Sequence, residues 1–262
     1  MQLTNEQQNK KQRLFLVLGA FFIANAIVAE FIGAKIFSVE KTLGFAQLNL
    51  TIFGLDNQSL NMTCGVLLWP AVFIMTDIIN EYFGQKGVRF FSYLGAILIS
   101  YAFIGVYMAM KTTPADWWIM QQNNGETINM DKAYNAVFGQ GLLIIVASIT
   151  AFLIGQLVDV YLFHAIKKRT GHKHIWLRST GSTVVSQLID TFIVLGIAFY
   201  LPGKMTGQQF IVTALVSYLY KFIAAILITP VLYGVHNLVD AYLGKDISLQ
   251  MQSEAMAKKA LQ

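Results

Sequence analysis

Long apolar stretches separated by short polar ones dominate this chain. Six of them, at 14–30, 64–83, 88–110, 139–163, 182–201 and 209–235, have the length and polarity of bilayer crossings. A hydrocarbon core of about 30 Å takes about 20 helical residues, and in lipid only helices and closed barrels satisfy every backbone group. Runs this long predict helices. The expected fold class is therefore an all-α membrane protein, a bundle of six transmembrane helices. It would have an N-terminal tail over 1–13, a six-helix domain over 14–235 and a C-terminal tail over 236–262 that is polar and solvated beyond Val239. One polar segment breaks the pattern. The loop at 31–63 is too long for a simple turn. Within it Gln47-Leu48-Asn49-Leu50-Thr51-Ile52-Phe53 alternates polar and apolar residues. This predicts a small β-hairpin in the first outer loop, with Asp56-Asn57-Gln58 offering the turn.

Composition agrees. Charged residues make up 13% of the chain, against about 25% in soluble domains. The single cysteine, Cys64, excludes an internal disulfide framework and a thiolate metal cluster. A net charge of +5 raises the question of nucleic acid, but the placement of the charge answers it. Thirteen of the nineteen Lys and Arg residues fall in segments on the side of the N-terminus. Five (Lys35, Lys41, Lys111, Lys132 and Lys204) fall on the other side, and Lys221 lies inside the sixth span. By the positive-inside rule both termini are expected in the cytoplasm, in a multi-pass protein of a bacterial inner membrane. No nucleic-acid partner is expected, because the basic residues are spread over loops and not gathered with stacking aromatics. Lys10, Lys11 and Arg13 ahead of the first run imitate a signal peptide, but the run is long and five more follow, so a retained helix is predicted.

The informative residues are polar ones inside these runs: Asp77, Asn80 and Glu81 in the second, Gln156 and Asp159 in the fourth, Gln187 and Asp190 in the fifth. A carboxylate at hydrocarbon depth is expensive and is rarely kept without a use. At about 1.5 Å per residue, Asp77, Asp159 and Asp190 reach similar depths in the inner half of the bundle. Gln156 and Gln187 fall one helical turn from Asp159 and Asp190. Nearer the midplane or beyond it, Glu30 and Lys221 are candidate partners, since a buried lysine calls for an opposite charge. Duller roles compete at each position. Glu81 ends its span and would then face lipid headgroups. Asp159 would pair with Lys167, Lys168, Arg169 or Arg178 as an orientation lock. The two glutamines would be interhelical glue. His172 and His174 are too few for a metal site. The chain has no phosphate-binding loop, no His-Glu-x-x-His and no nucleophile elbow, so neither an enzyme nor a bound cofactor is expected.

At these residues the chain resembles a known family. Trp69-Pro70, Thr76-Asp77-Ile78-Ile79-Asn80-Glu81-Tyr82-Phe83-Gly84, Gln156-Leu157-Val158-Asp159-Val160-Tyr161-Leu162-Phe163, Arg178-Ser179-Thr180 and Ser186-Gln187-Leu188-Ile189-Asp190-Thr191 are similar, in that order, to the queuosine precursor transporter family, also called the vitamin uptake transporter family. The resemblance spans roughly 25–237. It implies six helices and import of 7-deazaguanines, such as 7-cyano-7-deazaguanine and 7-aminomethyl-7-deazaguanine. A deazaguanine presents a ring N–H beside an exocyclic amine, which a carboxylate accepts as a fork. An amide matches the ring carbonyl, and aromatic rings such as Trp69 and Phe73 stack on the bicycle. The expected substrate residues are Asp77, Asn80, Glu81, Gln156, Asp159, Arg178, Gln187 and Asp190. Alternating access would move the substrate. Proton coupling through carboxylates in a low-dielectric interior, and metabolic trapping of the product, are two ways to drive it. The alternative reading is a substrate-binding subunit of an ATP-driven vitamin importer, with ATPase subunits or further copies of the chain packing on the seam Ala20-Phe21-Phe22-Ile23-Ala24.

Overall fold

In the computed structural model, residues 4–52, 54–139, 142–170 and 175–257 are described. The His172–His174 segment, Phe53 and the last residues of the C-terminal tail lie outside them. The chain opens with α1 (Asn5–Ile32), so helix begins well inside the expected N-terminal tail. The side chain of Thr4 accepts from the Gln7 N–H and Gln7 returns the bond, a capping box that places the start.

The loop after α1 holds β1 (Ile36–Ser38), α2 (Val39–Thr42), β2 (Leu50–Ile52), β3 (Leu55–Gln58) and β4 (Asn61–Thr63), then a 3₁₀ turn over Cys64–Leu67. Two antiparallel pairs form, β2 with β3 and β1 with β4. The predicted hairpin exists, but its turn is displaced. Asp56, Asn57 and Gln58 lie in β3, and Gly54, with φ of +79°, sits at the reversal. The buried carboxylate of Glu40 fastens this loop. It accepts from the Leu60 N–H at 2.7 Å and from the Ser38 hydroxyl at 2.8 Å.

Next comes α3 (Trp69–Met110), a helix of 42 residues. It is not straight. Gly84 has φ of +73° and ψ of −175°, a conformation essentially confined to glycine. The chain reverses there. Phe15 of α1 packs on Phe83 and Phe91, on either side of the break, at 4.8 and 4.6 Å between ring centres. At the far end of α1, Phe31 packs on Phe103 at 5.5 Å. Two limbs, 69–83 and 85–110, therefore run beside α1 in opposite directions.

After α4 (Asp116–Ile119), strands β5 (Met120–Asn123) and β6 (Glu126–Asn129) make a second hairpin, turning at Asn124-Gly125 with both φ angles positive. The helices α5 (Met130–Phe138), α6 (Leu142–Thr170), α7 (Ile175–Leu195), a π-helical turn over Gly196–Tyr200, α8 (Gly207–Leu243) and α9 (Lys245–Ala257) complete the fold.

Among the described residues, five helices are long and apolar enough to cross a membrane. With α3 folded back on itself, this is consistent with six passes. The start of α1 and α9 meet on the side of the Gly84 reversal, where Lys11 lies 3.7 Å from Glu254, as an even number of passes requires. Large apolar side chains point outward along the helices, among them Leu16, Ile97, Tyr101 and Leu227. The polar tail expected after Val239 is not wholly solvated. Ser248, Met251, Gln252 and Ala255 of α9 are buried, with Ala255 against Gly84.

Candidate functional site

The polar residues of α3, α6 and α7 meet inside the bundle and sort into three groups. Nearest the Gly84 reversal, Glu81 is held between two cations. Arg178 Nη2 donates to Glu81 Oε1 at 2.8 Å, and Lys167 Nζ lies 2.9 Å from Oε2 and 3.3 Å from the Glu81 carbonyl oxygen. All three side chains are at most 1% exposed. Arg178 also lies over the Phe163 ring, 5.7 Å from its centre. Glu81 therefore does not face headgroups. Of the basic partners considered for Asp159, Lys167 and Arg178 pair with Glu81 instead.

Around the first limb of α3 lies the second group. Asp77 accepts a short hydrogen bond from the Ser179 hydroxyl on Oδ2. Asp159 Oδ1 accepts from the hydroxyls of Ser186 at 3.2 Å and Thr183 at 3.4 Å. Gln156 Oε1 accepts from Thr76 at 3.2 Å, and Asn80 Oδ1 lies 2.7 Å from Nε2 of His164. Asp77, Asn80, Gln156 and Asp159 are all buried. Yet Asp77 Oδ1, Asn80 Nδ2, Gln156 Nε2 and Asp159 Oδ2 have no hydrogen-bond partner among the described residues. Buried polar atoms are normally paired. Four unpaired ones on adjoining helices form a polar centre with unspent capacity to bind.

Asp77 borders a cavity of about 560 Å³, its mouth included, walled by Trp69, Phe73, Ser179, Thr183, Gln187 and Lys221 among others. Trp69 and Phe73 stand one turn apart with rings 6.0 Å apart and near parallel, and offer a flat apolar wall.

The third group lies toward the strand-bearing loop. Lys221 Nζ donates to Asp190 Oδ2 at 2.7 Å and to Thr191 Oγ1 at 3.1 Å. Both border a larger, open cavity of about 1,440 Å³, shared with Glu30, Ser148 and with Asn61 and Thr63 of β4. The expected Glu30–Lys221 pair is therefore replaced. The lysine goes to Asp190, while Glu30 accepts from the Ser148 hydroxyl at 2.6 Å. Asp190 likewise leaves the expected trio, since the cation on α8 draws it into the outer cavity.

Several residues here escaped the sequence reading. His164 shares the α6 stripe with Gln156, since eight residues make about two turns. The hydroxyls of Ser179, Ser182, Thr183 and Ser186 repeat at helical spacing on the α7 face turned inward. Both stripes were visible as patterns, but serines in helices are too common to single out. Tyr82, His236, Asp240 and Ser248 form a further network. The Tyr82 hydroxyl donates to Asp240 at 2.6 Å and ties α3 to α8, while Ser248 ties α9 to the same carboxylate. Of the proposed partner seam, Phe22 is buried within the chain, while Ala20, Phe21 and Ala24 face outward.

Comparison with known proteins gives this centre a family. Residues 63–235 match the family described as "Putative vitamin uptake transporter". A protein of Bacillus subtilis named "Probable queuosine precursor transporter" is 29% identical over 182 residues, 69% of this chain and 74% of its own length. One of the same name from Haemophilus influenzae is 28% identical over 237 residues, 88% of each chain. The "Queuosine precursor transporter" of Escherichia coli is 27% identical over 193 residues, 72% of this chain and 76% of its own. No solved structure matches. The matched region runs from β4 to α8 and so contains Asp77, the Glu81 cluster and the Asp190–Lys221 pair, and the chain belongs to the queuosine precursor transporter family, also called the vitamin uptake transporter family.

Proposed function

We propose that this chain imports queuosine precursors of the 7-deazaguanine class, 7-cyano-7-deazaguanine and 7-aminomethyl-7-deazaguanine, across a bacterial inner membrane by alternating access. The observation that carries the reading is the unpartnered Oδ1 of buried Asp77 beside an aromatic-walled cavity. A carboxylate there accepts the ring N–H and exocyclic amine of the base. Gln187 borders the same space and supplies an amide for the carbonyl. Trp69 and Phe73 supply stacking. A site built on such pairing rejects purines that leave its polar groups unmatched.

Alternating access is supported by the asymmetry of the bundle. The inner cavity adjoins the open outer cavity through shared walls at Val66, Trp69 and Lys221. On the other side the Glu81–Lys167–Arg178 cluster ties three helices together. This is the arrangement of a carrier closed at the Gly84 side, the side that bears most basic residues and both chain ends, which we assign to the cytoplasm. Asp77 and Asp159, which like Glu30 make no ion pair among the described residues, are the buried groups near the inner cavity available to carry a proton with the substrate.

The test is complementation. A cell unable to make queuosine precursors, lacking its own importer and given this chain, is fed each precursor at low concentration, and tRNA is assayed for the modified base. Modification dependent on the chain is expected, and its absence with both precursors refutes the reading. Uptake into liposomes holding the purified chain alone separates a carrier from a subunit that needs ATPase partners. With a proton gradient imposed on those liposomes, collapse of uptake by a protonophore is expected of proton coupling, and insensitivity would show that protons do not drive it.

A further inference from the structure

Among the described residues, the Glu81 cluster and the Asp190–Lys221 pair are ion pairs inside the bundle, and the second borders a cavity. Glu81, Lys167 and Arg178 are sealed. The side chains of Asp190 and Lys221 keep 21% and 23% of their area exposed. Asp77 and Ser179 border only the inner cavity, whereas Lys221 borders the inner and the outer one. Asp77 and Lys221 therefore both line the inner cavity, with Lys221 at its junction with the outer one.

Neither member of the outer pair is saturated. An ammonium has three N–H donors. Lys221 spends one on Asp190 and one on Thr191 and keeps one. Asp190 accepts through Oδ2, and its Oδ1 takes no hydrogen bond among the described residues. One spare donor and one spare acceptor thus stand side by side on the wall of the outer cavity, and the donor's residue also borders the inner one. Glu30 borders the outer cavity without an ion pair among the described residues, so that cavity holds two carboxylates to one lysine.

Resting on the reading that a 7-deazaguanine occupies the inner cavity with its N–H edge on Asp77, we infer that the Asp190–Lys221 pair reads the substituent at C7. That substituent sits on the five-membered ring, remote from the edge at Asp77, and reaches toward Lys221. A nitrile is an acceptor only and takes the spare Lys221 N–H. An aminomethyl group is an ammonium at neutral pH, a donor only. It binds Asp190 Oδ1 and draws the carboxylate from the lysine, with Glu30 offsetting the added positive charge. One pair thereby recognises two substituents of opposite hydrogen-bonding character, and a substituent that can do neither is rejected.

The experiment is equilibrium binding to the purified full chain in lipid nanodiscs, with 7-cyano-, 7-aminomethyl- and 7-methyl-7-deazaguanine. The unaltered protein is expected to bind the first two about tenfold or more tighter than the methyl compound, the worth of one hydrogen bond to a charged group. Asp190→Asn should weaken the aminomethyl compound about tenfold more than the nitrile, and Lys221→Met should do the reverse. Equal binding of the methyl compound, or variants that weaken both natural ligands equally, overturns the inference and leaves the transport reading standing. Where a variant fails to elute as a monodisperse species, the three-ligand series on the unaltered protein decides alone. Absence of binding by all three compounds instead overturns the transport reading, and the inference with it.

Discussion

Removing the charge of Glu81 strands two cations in the interior. Glu81→Gln is nearly isosteric and keeps an oxygen that Arg178 can use, but it loses the charge and the acceptor that faces Lys167. Lys167 and Arg178 would remain at most 1% exposed without the carboxylate that pairs with both. Breaking a buried pair from one side costs about 3–5 kcal/mol, most of it the uncompensated charge that remains. Lys167→Met is the control. It leaves Glu81 paired with Arg178 at 2.8 Å and removes one charged hydrogen bond, a loss of about 1.5–3 kcal/mol. For a protein of this size 1 kcal/mol moves the melting temperature by about 2–4 °C, so Glu81→Gln should melt about 10 °C or more below the unaltered chain and below Lys167→Met as well. The assay is thermal unfolding of detergent-purified protein, followed by the loss of monodisperse material. A Glu81→Gln variant that melts within about 2 °C of the parent, or no lower than Lys167→Met, would show that the three side chains do not act as one compensated unit.

Three further outcomes follow from the same geometry. Asp77→Asn should insert and fold but bind labelled precursor about 10- to 100-fold more weakly, the cost of one charge-assisted hydrogen bond; undiminished uptake removes Asp77 from the site. Gly84→Ala should lose about 1–3 kcal/mol of stability, because φ of +73° with ψ of −175° excludes a Cβ and the added carbon would lie 3.2 Å from the Ala255 carbonyl oxygen; an unchanged melting temperature refutes this. In the outer loop, the Leu60 N–H bonded to the Glu40 carboxylate holds that group below the usual glutamate range. A lowered value means that the loop's anchorage is complete above the pKa of an unfolded glutamate and is lost as pH falls through the folded one. Hydrogen exchange of the Leu60 amide should therefore rise, beyond its intrinsic pH dependence, only in acid below about pH 4, and Glu40→Gln should remove that transition.

How much was legible beforehand differs by element. The apolar runs marked the helices, and the polar residues inside them marked the centre, because both are properties of short windows: hydropathy over about 20 residues and the cost of a charge within them. The Asn124-Gly125 reversal was equally local and was overlooked, while the Asp56-Asn57-Gln58 turn was misplaced because turn-forming residues also fit a short edge strand. Sequence alone thus determined that this is a helical membrane protein with carboxylates it must use.

Only the tertiary structure decided which carboxylate does what. Glu81 meets Lys167 and Arg178 across 86 and 97 residues of chain, and Asp190 meets Lys221 across 31. Such pairings depend on which helix faces turn toward each other, and no local pattern encodes that. The same holds for the fold-back at Gly84 and for α9, whose modest apolar face is buried only because the reversal offers it a surface. Two acids of similar depth and neighbourhood, Asp77 and Asp190, end up with opposite fates for this reason. Asp77 meets a hydroxyl at the inner cavity, and Asp190 pairs with a lysine of the following helix, α8.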